Sequence, residues 1–255
     1  MEAVRRAPMK RPMGYVDLMQ KSGVVAAFDA AAASYAAAAR VQDQVAEALL
    51  GGVADGAPKT ILDIGCGAGA VTALIAARWP QAEIDALDAS PAMLAQVAGR
   101  APTARRFLGD AAAFEPAARY DLIVSSMALH WLPDPRAVLA RWARGLAPGG
   151  RLHVAVPAAG SLREWREACA DAGAEDGLWP FPAEDFAAGL ARSAELREHR
   201  LVYASARDFL ISMKQTGAHS PRRGHRPASA GALRRLLAQC ERPFAATYRI
   251  LYLTV

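Results

Sequence analysis

The stretch that decides the fold is Ile61-Leu62-Asp63-Ile64-Gly65-Cys66-Gly67-Ala68-Gly69. Its apolar half is typical of a buried strand, and its alternate glycines allow a sharp backbone turn with room for a ligand beside it. A helical pattern follows from about residue 70 to residue 78. Because ligands in open α/β sheets bind at the carboxyl ends of strands, this stretch predicts a strand, a ligand-binding loop and a helix.

The spacing of the glycines excludes two common ligand-binding motifs. It is G-x-G-x-G rather than the G-x-G-x-x-G of dinucleotide-binding loops, and no G-K-[ST] of a phosphate-binding loop follows. The ligand therefore needs no phosphate.

Strand and helix patterns alternate on both sides of the glycine loop. We predict strands at 60–64, 83–87, 105–108, 121–125 and 152–156, and helices at 24–50, 70–78, from 91 onward and 135–146. Ser90 is a good N-cap, and Pro91 suits the first helical position. This alternation predicts an α/β fold with a Rossmann-like, mainly parallel sheet.

The two ends of the chain depart from this alternation. Residues 1–22 carry prolines among five basic side chains and are interpreted as a mobile tail before a domain over 23–255. Helices and loops are expected from 161 to about 196, with a helical lid inserted at about 158–196. Two last strands, at 201–204 and 247–254, flank helices at 206–216 and 229–240.

The composition limits the class of protein. The 255 residues are 53% hydrophobic and 22% charged, which is ordinary for one or two globular domains. No run of about 18 apolar residues predicts a membrane helix. The three cysteines and the lack of a secretory signal favour the cytoplasm. A net charge of +5 suits an acidic partner, but the aromatic residues do not interleave with basic ones as nucleic-acid binding requires.

Two aspartates follow the next predicted strands. Asp88 ends the second strand, about 20 residues after the glycines, where an acidic side chain can bind a ribose diol. Asp110 follows the third strand and can accept a hydrogen bond from an adenine amino group. An adenosine compound without a required phosphate fits both positions, and S-adenosylmethionine (SAM) is such a compound.

Residues 62–69, together with Ala86-Leu87-Asp88-Ala89-Ser90-Pro91-Ala92-Met93-Leu94, resemble the class I SAM-dependent methyltransferases. The resemblance implies a seven-stranded sheet whose last strand is antiparallel. It also implies that Asp63 and Gly65 lie near the methionine part of SAM and that Met93 packs on the adenine. The full set of predicted cofactor-binding residues is Asp63, Gly65, Cys66, Gly67, Gly69, Asp88, Ala89, Met93, Asp110, Ala111 and Ser125.

Shorter blocks outside these motifs resemble a narrower family. They are Phe28 with Tyr35 and Gln42, Ser126-Met127-Ala128-Leu129-His130-Trp131, Gly160-Ser161-Leu162, and Lys214-Gln215-Thr216-Gly217-Ala218. Together they resemble the malonyl-[acyl-carrier protein] O-methyltransferases of biotin synthesis, from about residue 24 to the C-terminus. The resemblance implies methyl transfer to a malonyl carboxylate carried by an acyl carrier protein.

This chemistry needs no general base, because a carboxylate is already an ionised nucleophile at neutral pH. Tyr35 is predicted to close over the methionine end of SAM and orient the acceptor. His130 is predicted to donate a hydrogen bond to the malonyl group, with a purely structural histidine as the alternative. Ser126 is a further candidate for the cofactor pocket, and Trp131 is interpreted as a packing residue.

Basic residues late in the chain are candidates for docking an acidic carrier or for gripping the free carboxylate. They are Lys214, Arg222, Arg223 and Arg226, with His225 among them, and a solvated loop is the alternative interpretation. No metal is predicted, since the histidines lack ligand-like spacing and prolines flank Asp134 beside His130.

Two other functions stay open at this point. One is a SAM-fold protein similar to the complex I assembly factors that hydroxylate an arginine, because those share a Leu-His-Trp-like block. The other is a SAM-fold scaffold without turnover, although the intact aspartates Asp63, Asp88 and Asp110 argue against it.

Overall fold

A computed structural model describes residues 5–6, 23–54, 56–116, 119–222, 224–240 and 242–255. Eight strands form one sheet: β1 (Arg5–Arg6), β2 (Thr60–Ile64), β3 (Glu83–Asp88), β4 (Arg105–Leu108), β5 (Tyr120–Ser126), β6 (Leu146–Pro157), β7 (Ser193–Tyr203) and β8 (Phe244–Thr254). Apart from the two-residue β1, which falls in the predicted tail, this is the expected seven-stranded sheet. The rest of that tail lies outside the described residues.

The order across the sheet is β1-β4-β3-β2-β5-β6-β8-β7. Neighbours from β1 to β6 pair in parallel, whereas β8 runs antiparallel to both β6 and β7. The Rossmann-like fold with an antiparallel last strand is therefore confirmed. Ile64 pairs with Leu87, and Asp88 pairs with Leu108, so the loops after β2, β3 and β4 leave the same edge side by side.

In the described part of the chain, eight α-helices surround the sheet: α1 (Val24–Ala38), α2 (Arg40–Gly51), α3 (Ala70–Arg78), α4 (Pro91–Arg100), α5 (Pro135–Ala143), α6 (Arg163–Asp171), α7 (Ala206–Gln215) and α8 (Ala230–Gln239). Ser90 caps α4 by accepting from the Met93 N–H, as predicted. Helices cover both faces of the sheet, and β5 is therefore buried on both sides. Its residue Ile123 packs in one core cluster, and Leu122 and Val124 pack in another.

The single helix predicted over 24–50 is wrong. The chain bends by 75° between α1 and α2, at Ala39, whose backbone leaves the helical region at φ −79° and ψ 38°. No glycine or proline marks the break, so packing rather than local sequence causes it. Within the described residues no single helix is long and apolar enough to cross a membrane, although this bent pair passes that test by length and composition.

The strand predicted at 201–204 is too short. β7 begins at Ser193 and pairs with β8 along its whole length, from Ser193 with Thr254 to Tyr203 with Phe244. Its first half is mostly exposed and strongly charged, which hid it from the apolar pattern. The last residues of the predicted lid segment are therefore strand, and α6 with the loop after it forms the rest.

Candidate active site

The glycine loop folds back onto the end of β3. The backbone N–H groups of Gly65 and Cys66 both donate to the Leu87 carbonyl, at 2.8 and 3.0 Å. Gly65 has φ +70°, and a Cβ added there would lie 2.4 Å from the Ala128 Cβ. Both the left-handed backbone and the close approach require glycine at this position.

Asp88 is held by the backbone of two different loops. Its Oδ2 accepts from the Gly67 N–H and its Oδ1 from the Ser90 N–H, both at 2.8 Å. Burial raises the pKa of Asp88, and these backbone hydrogen bonds oppose the rise. Each carboxylate oxygen keeps a lone pair that a ribose hydroxyl can use.

Asp88 lines a cleft, here called the glycine-loop cleft, in which several predicted residues meet. Its walls include Gly65, Gly67, Ala89, Met93, Asp110 and Ala111. Asp110 Oδ1 accepts from the Ala112 N–H at 2.8 Å, while Oδ2 is buried without a hydrogen-bond partner among the described residues. Because buried acceptors need donors, this atom fits the amino group of an adenine. Buried Met93 offers an apolar surface to the ring.

Four predicted cofactor residues do not line this cleft. The Cys66 side chain packs in the core, because it points away from the loop surface that faces the cleft, and burial raises its pKa. Gly69 leaves room for a helix rather than a ligand, since its added Cβ would lie 3.2 Å from Val97 Cγ2 on α4. Ser125 is fully buried, and Ser126 lines the cleft instead, because successive strand residues point to opposite faces.

Asp63 is the fourth, and it lies beneath the loop. Its Oδ2 accepts from the Thr72 hydroxyl at 2.6 Å, which ties β2 to the first turn of α3, while Oδ1 is buried without a described partner. Burial raises its pKa to about 7, with the neighbouring Asp88 charge contributing. The structure therefore supports a role for Asp63 in shaping the loop.

Helix α1 covers the cleft. Asp29 Oδ1 accepts from the Ser90 hydroxyl and from the Ala92 N–H, so the helix is tied to the start of α4. This places Val24, Val25, Phe28 and Tyr35 along the cleft wall. Asp29 is not among the residues predicted from the sequence, because no local pattern distinguishes a carboxylate that binds the start of a distant helix from a solvated one.

A second cavity of about 340 Å³, here called the aromatic cavity, adjoins the first. Rings from distant segments line it, including Trp165, Trp179, Phe181, Phe209 and Tyr248. The two cavities share four wall residues, which are Phe28, Tyr35, Met127 and Trp131. The two cavities therefore lie side by side, with these four side chains bordering both.

The shared wall combines two side chains from α1, Phe28 and Tyr35, with two from the strained turn after β5, Met127 and Trp131. Trp131, interpreted from sequence as a packing residue, contacts the Phe28 ring edge-on at 5.7 Å and also lines both cavities. Met127 has φ +56°, which is unfavourable for a side chain of its size. Such strain is characteristic of functional sites, and here it turns the chain sharply after β5.

Both predicted catalytic residues line the aromatic cavity. Tyr35 also reaches the glycine loop, since a Cβ added to Gly67 would lie 3.9 Å from its Oη. Burial and the nearby Asp88 raise the pKa of Tyr35, so its hydroxyl stays protonated. Burial lowers the pKa of His130 to about 3, so its ring is neutral, and its Nδ1 has no hydrogen-bond partner in the described part.

The predicted basic cluster is divided. Lys214 is exposed and lines the aromatic cavity. Arg222 pairs with Glu175 at 2.6 Å, and Glu175 also accepts from the Arg226 N–H, so both are tied to the loop after α6, and neither lines the cavity. Arg223 lies outside the described residues. Among those that are described, no group of three histidine, cysteine or acidic side chains could hold a metal ion.

Comparisons with known proteins identify the family. A model described as a methyltransferase domain matches residues 61–150. The chain is 37% identical over 237 residues to the biotin biosynthesis bifunctional protein BioCD of Bordetella avium, covering 88% of this chain and 50% of that protein. It is 33% identical over 227 residues to the malonyl-[acyl-carrier protein] O-methyltransferase of Hahella chejuensis, covering 86% and 81%.

Two further comparisons are more limited. A trans-aconitate 2-methyltransferase of Methylobacterium radiotolerans is 48% identical over 101 residues, which cover 40% of this chain and 39% of that protein. The chain thus spans half of BioCD and matches less than half of the trans-aconitate enzyme. The solved YcgJ structure of Bacillus subtilis shares the fold with a TM-score of 0.58 at 16% identity, over 83% of this chain and 97% of that chain.

The fold, the residues that line the glycine-loop cleft and the relatives agree on the class of reaction. SAM is the methyl donor, and the glycine-loop cleft has the acceptors that its adenosine part requires. The chain belongs to the malonyl-[acyl-carrier protein] O-methyltransferase family of SAM-dependent O-methyltransferases.

Proposed function

We propose that the chain methylates the free carboxylate of a malonyl group carried by an acyl carrier protein, and that the methyl ester serves biotin biosynthesis. The single observation that carries this proposal is the shared wall between the glycine-loop cleft and the aromatic cavity. The names of the Hahella and Bordetella relatives support it. Membership in an O-methyltransferase family favours methyl transfer over the arginine hydroxylase and scaffold hypotheses.

Bound SAM supplies an electrophilic methyl group on a sulfonium, and a carboxylate oxygen takes that methyl while the carbon–sulfur bond breaks. The positive and negative charges cancel during the transfer. Exclusion of water by the aromatic rings therefore favours the reaction, because water stabilises the separated charges more than the transition state. Alignment of the two reacting groups can supply on the order of 7–11 kcal/mol.

The protein's own groups orient the acceptor. The protonated Tyr35 hydroxyl lies beside Gly67 and faces both cavities, where it can donate to the acceptor carboxylate. The neutral His130 ring offers a second donor from the end of β5. Neither residue has to remove a proton, since the acceptor is already ionised.

We infer that the carrier docks near the exposed side of the aromatic cavity. Lys214 lies there without an ion-pair partner among the described residues, and His219 and Pro221 are exposed beside it. Arg222 and Arg226 flank this region through Glu175. Their positive charges suit an acidic carrier.

Incubation of the protein with SAM and malonyl-carrier protein, followed by intact mass spectrometry, tests the proposal. The expected product is heavier than the substrate by one methylene. Unchanged malonyl-carrier protein in the presence of folded, SAM-binding enzyme contradicts the proposal. Acetyl-carrier protein, which lacks the free carboxylate, is the matched control.

A second candidate is methylation of a free polycarboxylate, favoured by the 48% identity to trans-aconitate 2-methyltransferase over 101 residues. The aromatic cavity argues against it. Lys214 is the one lysine in its described lining, which has no arginine, and several carboxylates would be buried without cations. A trans-aconitate arm in the same mass spectrometry experiment separates the two functions.

A further inference from the structure

One polar group in the aromatic cavity has no part in the roles assigned so far. Gln42 lies in the first turn of α2, between the buried residues Val41 and Val45 that pack the helix against the core. Its side chain lines the cavity. Its Oε1 atom is buried and has no hydrogen-bond partner among the described residues.

A buried amide oxygen without a hydrogen bond destabilises the folded protein unless a ligand donates to it, because buried polar atoms are almost always hydrogen-bonded. His130 Nδ1 is a second buried, unpartnered polar atom that lines the same cavity. The rest of the lining is mostly aromatic and aliphatic. His225 Nδ1 is a third such atom, but it lies 3.4 Å from the Glu175 carboxylate. Gln42 and His130 therefore indicate that a polar part of the acceptor binds between them.

The ionisable groups of the cavity are placed differently. Asp176 is already satisfied, because its carboxylate accepts from Arg166 at 3.1 Å and from the Leu178 N–H at 2.7 Å. Lys214 is exposed, and His225 lies 3.4 Å from Glu175. In the described lining, the buried groups that remain for the acceptor without a carboxylate beside them are therefore Gln42 and His130, and both are neutral.

We propose that the Gln42 side-chain amide binds the reacting carboxylate of the acceptor, together with His130, and that this neutral pair selects acceptors with a single buried carboxylate. The proposal rests on the proposed function and names its acceptor subsite. An amide carries an acceptor and two donors, and rotation about its last torsion exchanges Oε1 and Nε2, so the buried position can present N–H groups to the carboxylate.

Neutral donors suit this reaction better than a cation. A lysine or arginine beside the carboxylate would stabilise most strongly the charge that methyl transfer removes, and so would stabilise the ground state more than the transition state. Neutral hydrogen bonds compensate part of the lost hydration while leaving the oxygen nucleophilic. They also bind the neutral ester product more weakly than the ionised substrate, which favours product release.

The test compares binding of two carrier-linked ligands in the presence of S-adenosylhomocysteine, which prevents turnover. The ligands are malonyl-carrier protein and its methyl ester, and the variants are Gln42→Met and Gln42→Leu. The controls are Gln44→Met and Gln44→Leu, since Gln44 is exposed on the same helix. S-adenosylhomocysteine affinity and thermal unfolding of each variant verify the fold.

Loss of the amide is expected to weaken binding of malonyl-carrier protein by about 10- to 100-fold and binding of the ester by no more than about fivefold. The Gln44 variants are expected to bind both ligands like the unchanged chain. Equal losses for the two ligands, or none, overturn the assignment of Gln42 and leave the proposed function intact. Absence of methyl ester from the unchanged chain instead overturns the proposed function and this subsite with it.

Discussion

The substitution Asp110→Asn keeps one hydrogen bond of this side chain, to the protein backbone, and removes the other, which we assign to the adenine of the ligand in the glycine-loop cleft. Asp110 is 6% exposed, and its Oδ1 accepts from the Ala112 N–H while Oδ2 is buried without a described partner. In the variant the amide oxygen keeps the Ala112 hydrogen bond. The amide nitrogen then takes the place of Oδ2 and presents a donor where the adenine amino group also donates.

The size of the effect follows from this geometry. A hydrogen bond to a charged group contributes about 1.5–3 kcal/mol, so its loss is expected to raise the Kd for SAM by about 10- to 150-fold. Two buried donors facing each other favour the upper part of this range. The free energy of unfolding without ligand is expected to change by less than about 1 kcal/mol, since the backbone hydrogen bond is retained.

Titration calorimetry with S-adenosylhomocysteine and S-inosylhomocysteine measures the effect. The inosine compound carries a carbonyl oxygen in place of the adenine amino group, so it accepts from the new amide nitrogen. The variant is expected to lose preference for the adenosine compound by at least about tenfold. Equal affinities of variant and unchanged chain for both ligands would refute the assignment of Asp110 to adenine.

Three further perturbations test other parts of the structure. Burial raises the pKa of Asp63 from 3.8 to about 7, so its charge destabilises the folded state, and the free energy of unfolding is expected to fall by up to roughly 4 kcal/mol as the pH rises through this range. Asp63→Asn should flatten that dependence in urea titrations. Gly217→Ala is expected to cost about 2–5 kcal/mol of stability in the same assay, because Gly217 has φ +73° and its added Cβ would lie 2.9 Å from the Phe28 Cα. Lys214→Ala should raise the KM for malonyl-carrier protein several-fold at low salt and little at high salt. The control Lys59→Ala, at the opposite edge of the sheet, should leave this KM unchanged. A KM that does not respond to Lys214→Ala excludes Lys214 from docking.

The central sheet was predictable because its signals are local. Each parallel strand is a short apolar run, and glycine, serine or proline marks the turns, so β2, α3 and the start of α4 lie where the sequence predicts them. The exposed half of β7 lacked an apolar pattern, and its pairing with β8 rather than its composition makes it a strand. The bend at Ala39 likewise depends on how α1 and α2 pack.

Within the site, motifs predicted the cleft better than the orientation of its side chains. Gly65, Gly67, Asp88, Met93 and Asp110 line it as expected. Strand alternation was available as a signal for the two adjacent serines at the end of β5, since one of them had to face the core. Cys66 and Gly69 belong to the glycine motif by sequence, yet they serve core packing and helix approach.

The aromatic cavity could not be predicted in the same way, because its wall comes from segments far apart in the chain. Trp131, Trp179 and Phe181 approach one another only in the folded protein, with Trp131 and Trp179 rings 6.1 Å apart. Gln42 belongs to a family-like block in the sequence, but its unpartnered amide is visible only once the cavity is formed.

A crystal structure with S-adenosylhomocysteine locates the ligand relative to the wall that the two cavities share. The adenine amino group is expected on Asp110, the ribose diol on Asp88, and the sulfur directed past Tyr35 into the aromatic cavity. A ligand bound elsewhere, or one whose sulfur faces away from that cavity, would contradict this arrangement of cofactor and acceptor.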